Sequence, residues 1–139
     1  MIRHLAGALV LLAAPALAPP ALATLALADD TSILAIEFGP DRMQVAPPEI
    51  LTVEVRNDYG VPYVLVTLDP SLQFALASLT LVHVGQVGRI LVCDRVVSEP
   101  LLQSAITEAV FMIANGDAAE VRRLAAILRA RSCTPEATS

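Results

Sequence analysis

From Leu5 to Ala28 the chain carries no charged side chain, and this stretch decides how much of the sequence is left to form a globule. Arg3 and His4 make a short polar start, Leu5 to Ala14 is an unbroken apolar run, and three Ala-Leu-Ala triplets end at Ala18, Ala23 and Ala28. A positive start, an apolar core and small residues at the cut are the layout of a secretory leader. A cut after Ala18 would leave Pro19 first, which is unfavourable. Ala28 is the expected site because Asp29 and Asp30 open the charged part of the chain, with Ala23 second. The competing reading is an uncleaved membrane anchor, since about 20 apolar residues span a bilayer. Pro15, Pro19 and Pro20 argue against it, because proline removes a helical hydrogen bond. No Cys follows the run to accept a lipid. The expected organisation is a cleavable signal peptide over 1–28 and a domain over 29–139. The domain's core spans 50–131 and a polar tail covers 134–139.

The charges narrow the function. All nine basic residues are Arg, against 14 acidic ones, and the formal net charge is −5. Arg3 leaves with the leader, so the remaining domain is more acidic still. An acidic domain with few aromatics and no basic stripe does not suit nucleic acid or anionic lipid surfaces. After Ala28 no apolar run is long enough to span a membrane.

The remaining residues read as strands and two helices. Ile33 to Phe38 is β-rich and ends at a Gly39-Pro40 turn, and Asp41 to Pro48 reads as a loop. Leu51, Val53 and Val55 alternate with polar residues, predicting a strand with those three buried. Asn57 to Gly60 is a turn, and Val61 to Leu68 is a nearly continuous apolar strand with Pro62 at its start, so the pair reads as a hairpin. Asp69-Pro70 opens a helix whose predicted buried stripe is Leu72, Ala75, Leu76, Leu79 and Val82, ending at Gly85. Arg89 to Cys93 is a strand, Asp94-Arg95 a tight turn, and Glu108 to Ala114 a further strand. In the last helix Asp117 is the expected cap and Glu120 the reciprocal carboxylate of a capping box. Val121, Leu124, Ala125 and Leu128 form its stripe. Arg122, Arg123, Arg129 and Arg131 read as a solvated face that favours the helix C-terminus, with a partner-binding face as the alternative. Helices on an antiparallel sheet are an α+β layer solution.

Few residues suggest chemistry. Cys93 and Cys133 are the only cysteines, and an even count in an oxidising compartment suggests a disulfide. It would close a loop of about 40 residues and contribute roughly 4 kcal/mol. The alternative is two separate thiols, one buried. A nucleophilic Cys needs a nearby base, and His83 is the only His beyond the leader. Asp94, Arg95 and Glu99 are explained as turn and ion-pair residues. No spacing matches a zinc or calcium site. No catalytic, cofactor or metal residues are expected, and the domain is read as a non-enzyme.

Tyr63 to Arg129 resembles the head of the first periplasmic domain of SecD and SecDF, accessory membrane proteins of bacterial protein export. The matching features are Phe74, Thr80 and Gly85, then Ile90-Leu91-Val92 and Asp94, then Val96-Val97-Ser98-Glu99-Pro100. Ile106, Ile113, Asn115 and the Val121, Leu124, Ala125, Leu128 stripe continue the pattern. Thr107 to Ala109 lacks the family's glycine pair, Ala114 replaces a glycine, and Arg131-Ser132 departs from the family's continuation. The resemblance implies a ferredoxin-like α+β sandwich, with a largely antiparallel sheet of four or five strands and both helices on one face. It implies a periplasmic module that touches unfolded exported polypeptides or translocon subunits. It does not carry over proton-driven coupling, which needs membrane spans. A structural, self-associating envelope domain, with a homo-oligomer as its partner, is the alternative.

Overall fold

The computed structural model describes residues 32–134; the leader, both expected cleavage positions and the tail beyond Thr134 lie outside the described residues. Two-residue turns on left-handed backbone set up three hairpins. Gly39 (φ 57°) begins the turn between β1 (Leu34–Phe38) and β2 (Asp41–Val45). Tyr59 and Gly60 (φ 59° and 79°) join β3 (Ile50–Asp58) to β4 (Val61–Leu68). Cys93 and Asp94 (φ 51° and 61°) join β5 (Arg89–Val92) to β6 (Arg95–Ser98). Positive φ at both central residues, or at the first alone as at Gly39-Pro40, twists a tight hairpin with the natural hand of its strands. The last turn therefore lies one residue earlier than Asp94-Arg95.

The class is α+β and every strand pair is antiparallel, as expected. The strands, however, divide between two sheets, in the orders β2-β1-β5-β6 and β3-β4-β7, the last strand being β7 (Val110–Ala114). The reason lies in β4. Both of its edges are taken by β3 and β7, so β5 has no place beside it and pairs with β1. Each helix accordingly serves its own sheet: α1 (Gln73–Leu81) packs near β2, and α2 (Ala118–Ala130) covers β3 and β4. A single apolar core joins the layers.

Asp41–Val45, expected as loop, is a strand because Met43 and Val45 alternate inward while Arg42 and Gln44 face out. All five residues of β1 are buried, including Glu37. Its carboxylate accepts from Arg42 at 2.7 Å and Arg89 at 2.6 Å, from the residues directly opposite it on β2 and β5. Pairing of this kind is what lets a charge sit inside a strand.

The β3 prediction needs correcting. A register shift between Ile50 and Thr52 leaves Leu51 without a partner, so Ile50 turns inward and Leu51 is exposed. Val53 packs at the core, but β3 runs past it and Val55 stays exposed.

Asp69 caps the helical segment, accepting from the Ser71 amide at 2.8 Å, but the first turn, Pro70–Leu72, is 3-10. In α1 only Leu76 and Thr80 are fully buried; Leu72 and Leu79 pack at the margin, and Ala75 and Val82 face outward. In α2 the stripe Val121, Leu124, Ala125 and Leu128 is completely buried. Each such Leu or Val contributes about 1.5–3 kcal/mol. Asp117 caps α2 through the amides of Ala119 and Glu120. The capping box is not formed, because Glu120 spends its carboxylate on Arg123 and Arg95.

Candidate functional site

The residues of the sequence motif do not converge on one cleft. Thr80, Gly85 and Pro100 fasten segment 99–107 across the end of α1. Thr80 Oγ1 donates to Leu76 O at 2.8 Å and accepts from the Ile106 amide at 2.8 Å. Gly85, at φ 88°, donates to Leu102 O at 2.7 Å, and the Gly88 amide donates to Pro100 O at 2.9 Å. The Leu102 amide donates in return to Gln86 O, and Val87 bridges Leu101. Ser98 pairs with Ile90, and buried Val97 offers its carbonyl to Asn115 Nδ2 at 2.9 Å, which joins the two sheets. Asp94 stands apart in the β5–β6 turn, exposed, 3.7 Å from Arg42. The disulfide joins Cys93 in that same turn to Cys133 just past α2, with Cα atoms 5.4 Å apart.

His83, given no role by the sequence, is itself buried and joins two exposed polar side chains. Its Nε2 lies 2.7 Å from Asp41 Oδ2 and its Nδ1 2.9 Å from Gln86 Oε1, while its ring stacks on Phe38. The Gln86 hydrogen bond, then that of Asp41, raises its pKa above the ordinary histidine value. Both ring nitrogens are thus committed, which leaves no basic lone pair directed at a substrate. Gly88 makes this packing possible: a Cβ there would meet Phe38 ring carbons at 2.5 Å. Among the described residues no group of three or more His, Cys, Asp or Glu could hold a metal ion, and no helix is long and apolar enough to cross a membrane.

What the surface does offer is apolar area. Phe74 (83% exposed), Leu81 (67%) and Val82 (69%) lie on one face of α1 and its C-terminal turn, at helical spacing. Val84, Val87 and Leu101, in the segments that follow, are exposed as well. The sequence signal was present in α1, QFALASLTL, which is apolar on every side. A helix of that kind is either fully buried or holds apolar area in reserve.

The arginines of α2 are less free than a solvated face requires. Arg129 Nε donates to Val53 O at 3.1 Å, and Arg131 donates to Ile50 O at 2.9 Å, so both tie down the outer edge of β3. Arg123 pairs with Glu120. Glu120 is held below the usual carboxylate range, by Arg123 first and Arg95 next.

The chain is thus a small α+β domain of two antiparallel sheets, with polar residues spent on structure and an apolar ridge left uncovered. This fold recurs in SecDF, a membrane component that enhances protein export. One SecDF structure matches with a TM-score of 0.53 and 23% identity, over 61% of this chain and 40% of that one. SecDF in a super-membrane-facing form matches with a TM-score of 0.54 and 23% identity, over 61% of this chain and 12% of that one. The chain therefore spans less than half the length of either. No family model matches the chain, and no curated protein does.

Proposed function

We propose that this domain is a non-catalytic polypeptide-binding module of protein export, delivered to the periplasm by its leader. The observation that carries the reading is the Phe74, Leu81 and Val82 ridge on a fold shared with SecDF. Uncovered apolar surface of this kind binds extended chains that have not yet buried their own side chains. Its partners are unfolded exported polypeptides, and it works beside the translocon rather than as a motor.

The test is fluorescence anisotropy with a labelled, permanently unfolded polypeptide. The domain binds it saturably, and the triple variant Phe74→Ser, Leu81→Ser, Val82→Ser weakens binding by about tenfold or more. Because those residues are exposed, the variant keeps its melting temperature. Absence of binding by the wild type refutes the proposal.

A second reading, a self-associating envelope domain, draws on the part of the β3 edge around Val55 and Asn57, beyond the reach of Arg129 and Arg131. Sedimentation velocity distinguishes the two, since self-association through that edge gives a concentration-dependent dimer.

A further inference from the structure

The chain has only two tyrosines, and both stand at the β3–β4 hairpin. Tyr59 is fully exposed and holds the first turn position, at φ 59°. A tight turn of this hand normally takes Asn, Asp or Gly there, because a bulky side chain on left-handed backbone is disfavoured. A ring kept at that position and wholly in solvent adds nothing to the core. Backbone outliers of this kind point to function at the surface they carry. Tyr63, half-buried on β4, donates its hydroxyl to Asp58 Oδ2.

The two rings border an open cavity of about 300 Å³, lined by Asp58, Tyr59, Val61, Tyr63, Met112 and Ala114. Ala114 of β7 pairs with Tyr63, and its small side chain leaves room beside the ring. Val61 and Met112 are exposed, so a ligand can reach the apolar lining. Among the described residues Asp58 is the one charged group in that lining. Arg56, on the same strand, directs Nη2 and Nε to Glu54 Oε2, at 2.8 Å and 3.1 Å. Glu54, Arg56 and Asp58 together therefore carry one negative charge in excess. Tyr63 takes one lone pair of Asp58 Oδ2, and the rest of the carboxylate keeps its capacity to accept.

We propose that this groove binds an arginine side chain of an extended partner polypeptide. The guanidinium stacks on the tyrosine faces and directs its fork at Asp58, a combination that suits arginine better than lysine. The methylene stem lies along Val61 and Met112. A neutral aliphatic side chain would leave Asp58 unmatched, and a bare inorganic cation would leave the rings and the thioether unused. The groove shares no residue with the α1 ridge and does not depend on it.

The experiment is a titration of the chain with acetyl-arginine amide, followed by amide chemical shifts. Saturable shifts are expected at Asp58, Tyr59, Met112 and Ala114. Acetyl-citrulline amide, which has the same shape with a neutral urea, binds about fivefold more weakly or worse. Asp58→Asn keeps an acceptor for Tyr63 and loses about threefold in affinity. Tyr59→Asn also loses about threefold, and its melting temperature rises, because Asn suits the turn. The Phe74→Ser, Leu81→Ser, Val82→Ser variant binds the arginine amide as the wild type does, so failure of this groove and failure of the ridge are told apart. No saturable shift, equal affinity for the arginine and citrulline amides, or an affinity unchanged in Tyr59→Asn each overturn the proposal. Free arginine binding more tightly than its amide overturns it as well, since the groove would then serve the amino acid and not a chain. The two amides on the wild type decide the matter even where a variant folds poorly.

Discussion

The hydroxyl of Thr80 is both a donor to Leu76 O and the acceptor of the Ile106 amide, at 2.8 Å in each case, so one buried side chain joins α1 to the segment that crosses its end. Thr80→Val keeps the shape and removes both bonds, leaving a backbone amide without its partner. We expect a loss of about 1–3 kcal/mol in urea denaturation and faster hydrogen exchange at Ile106. Thr80→Ser restores most of both. Wild-type stability in Thr80→Val would refute the role assigned to the hydroxyl.

The disulfide closes a loop across a separation of 40 residues. Loop-closure entropy then assigns it about 4 kcal/mol. Paired Cys93→Ser and Cys133→Ser substitutions should lower the denaturation free energy by about that amount. Reductant should do the same to the wild type and nothing to the variant. The Arg95–Glu120 pair still links the same hairpin to α2, so the reduced chain is expected to fold more weakly rather than not at all.

His83 makes stability depend on pH. Its folded pKa is raised, by Gln86 and Asp41, above the unfolded value of about 6.5. The folded state therefore holds the proton more tightly. The contribution is fully present below about pH 6.5 and is lost as pH rises through the higher folded pKa. A ring-proton titration should place the His83 midpoint above 6.5. Asp41→Asn should move it down and flatten the fall in stability above about pH 6.5. An unchanged midpoint in Asp41→Asn would show that the contact at 2.7 Å does not act on the ring.

Local pattern made some elements legible and not others. The α2 stripe and the β3–β4 hairpin could be read because periodicity and turn residues lie within one short window. β2 was missed because only Met43 and Val45 carry its pattern. The split into two sheets was not legible, because Leu34 opposite Val92 is a partnership across the whole middle of the chain. The motif residues could be located but not interpreted: Thr80, Gly85 and Pro100 act through backbone partners on a segment whose own sequence was ambiguous. The ridge went unread for another reason: a helix apolar on every side signals either full burial or apolar area in reserve, and pattern alone does not separate the two.

The strands visit the two sheets in turn: β1 and β2, then β3 and β4 in the other, back for β5 and β6, and out again for β7. No contiguous fragment contains one sheet whole without strands of the other. The first hairpin of a growing chain must wait for β5, and β4 keeps an open edge until β7 arrives. Folding is therefore dominated by distant partners, and shortened forms expose strand edges prone to aggregation. Such a domain can be moved between proteins only entire, as an indivisible cassette.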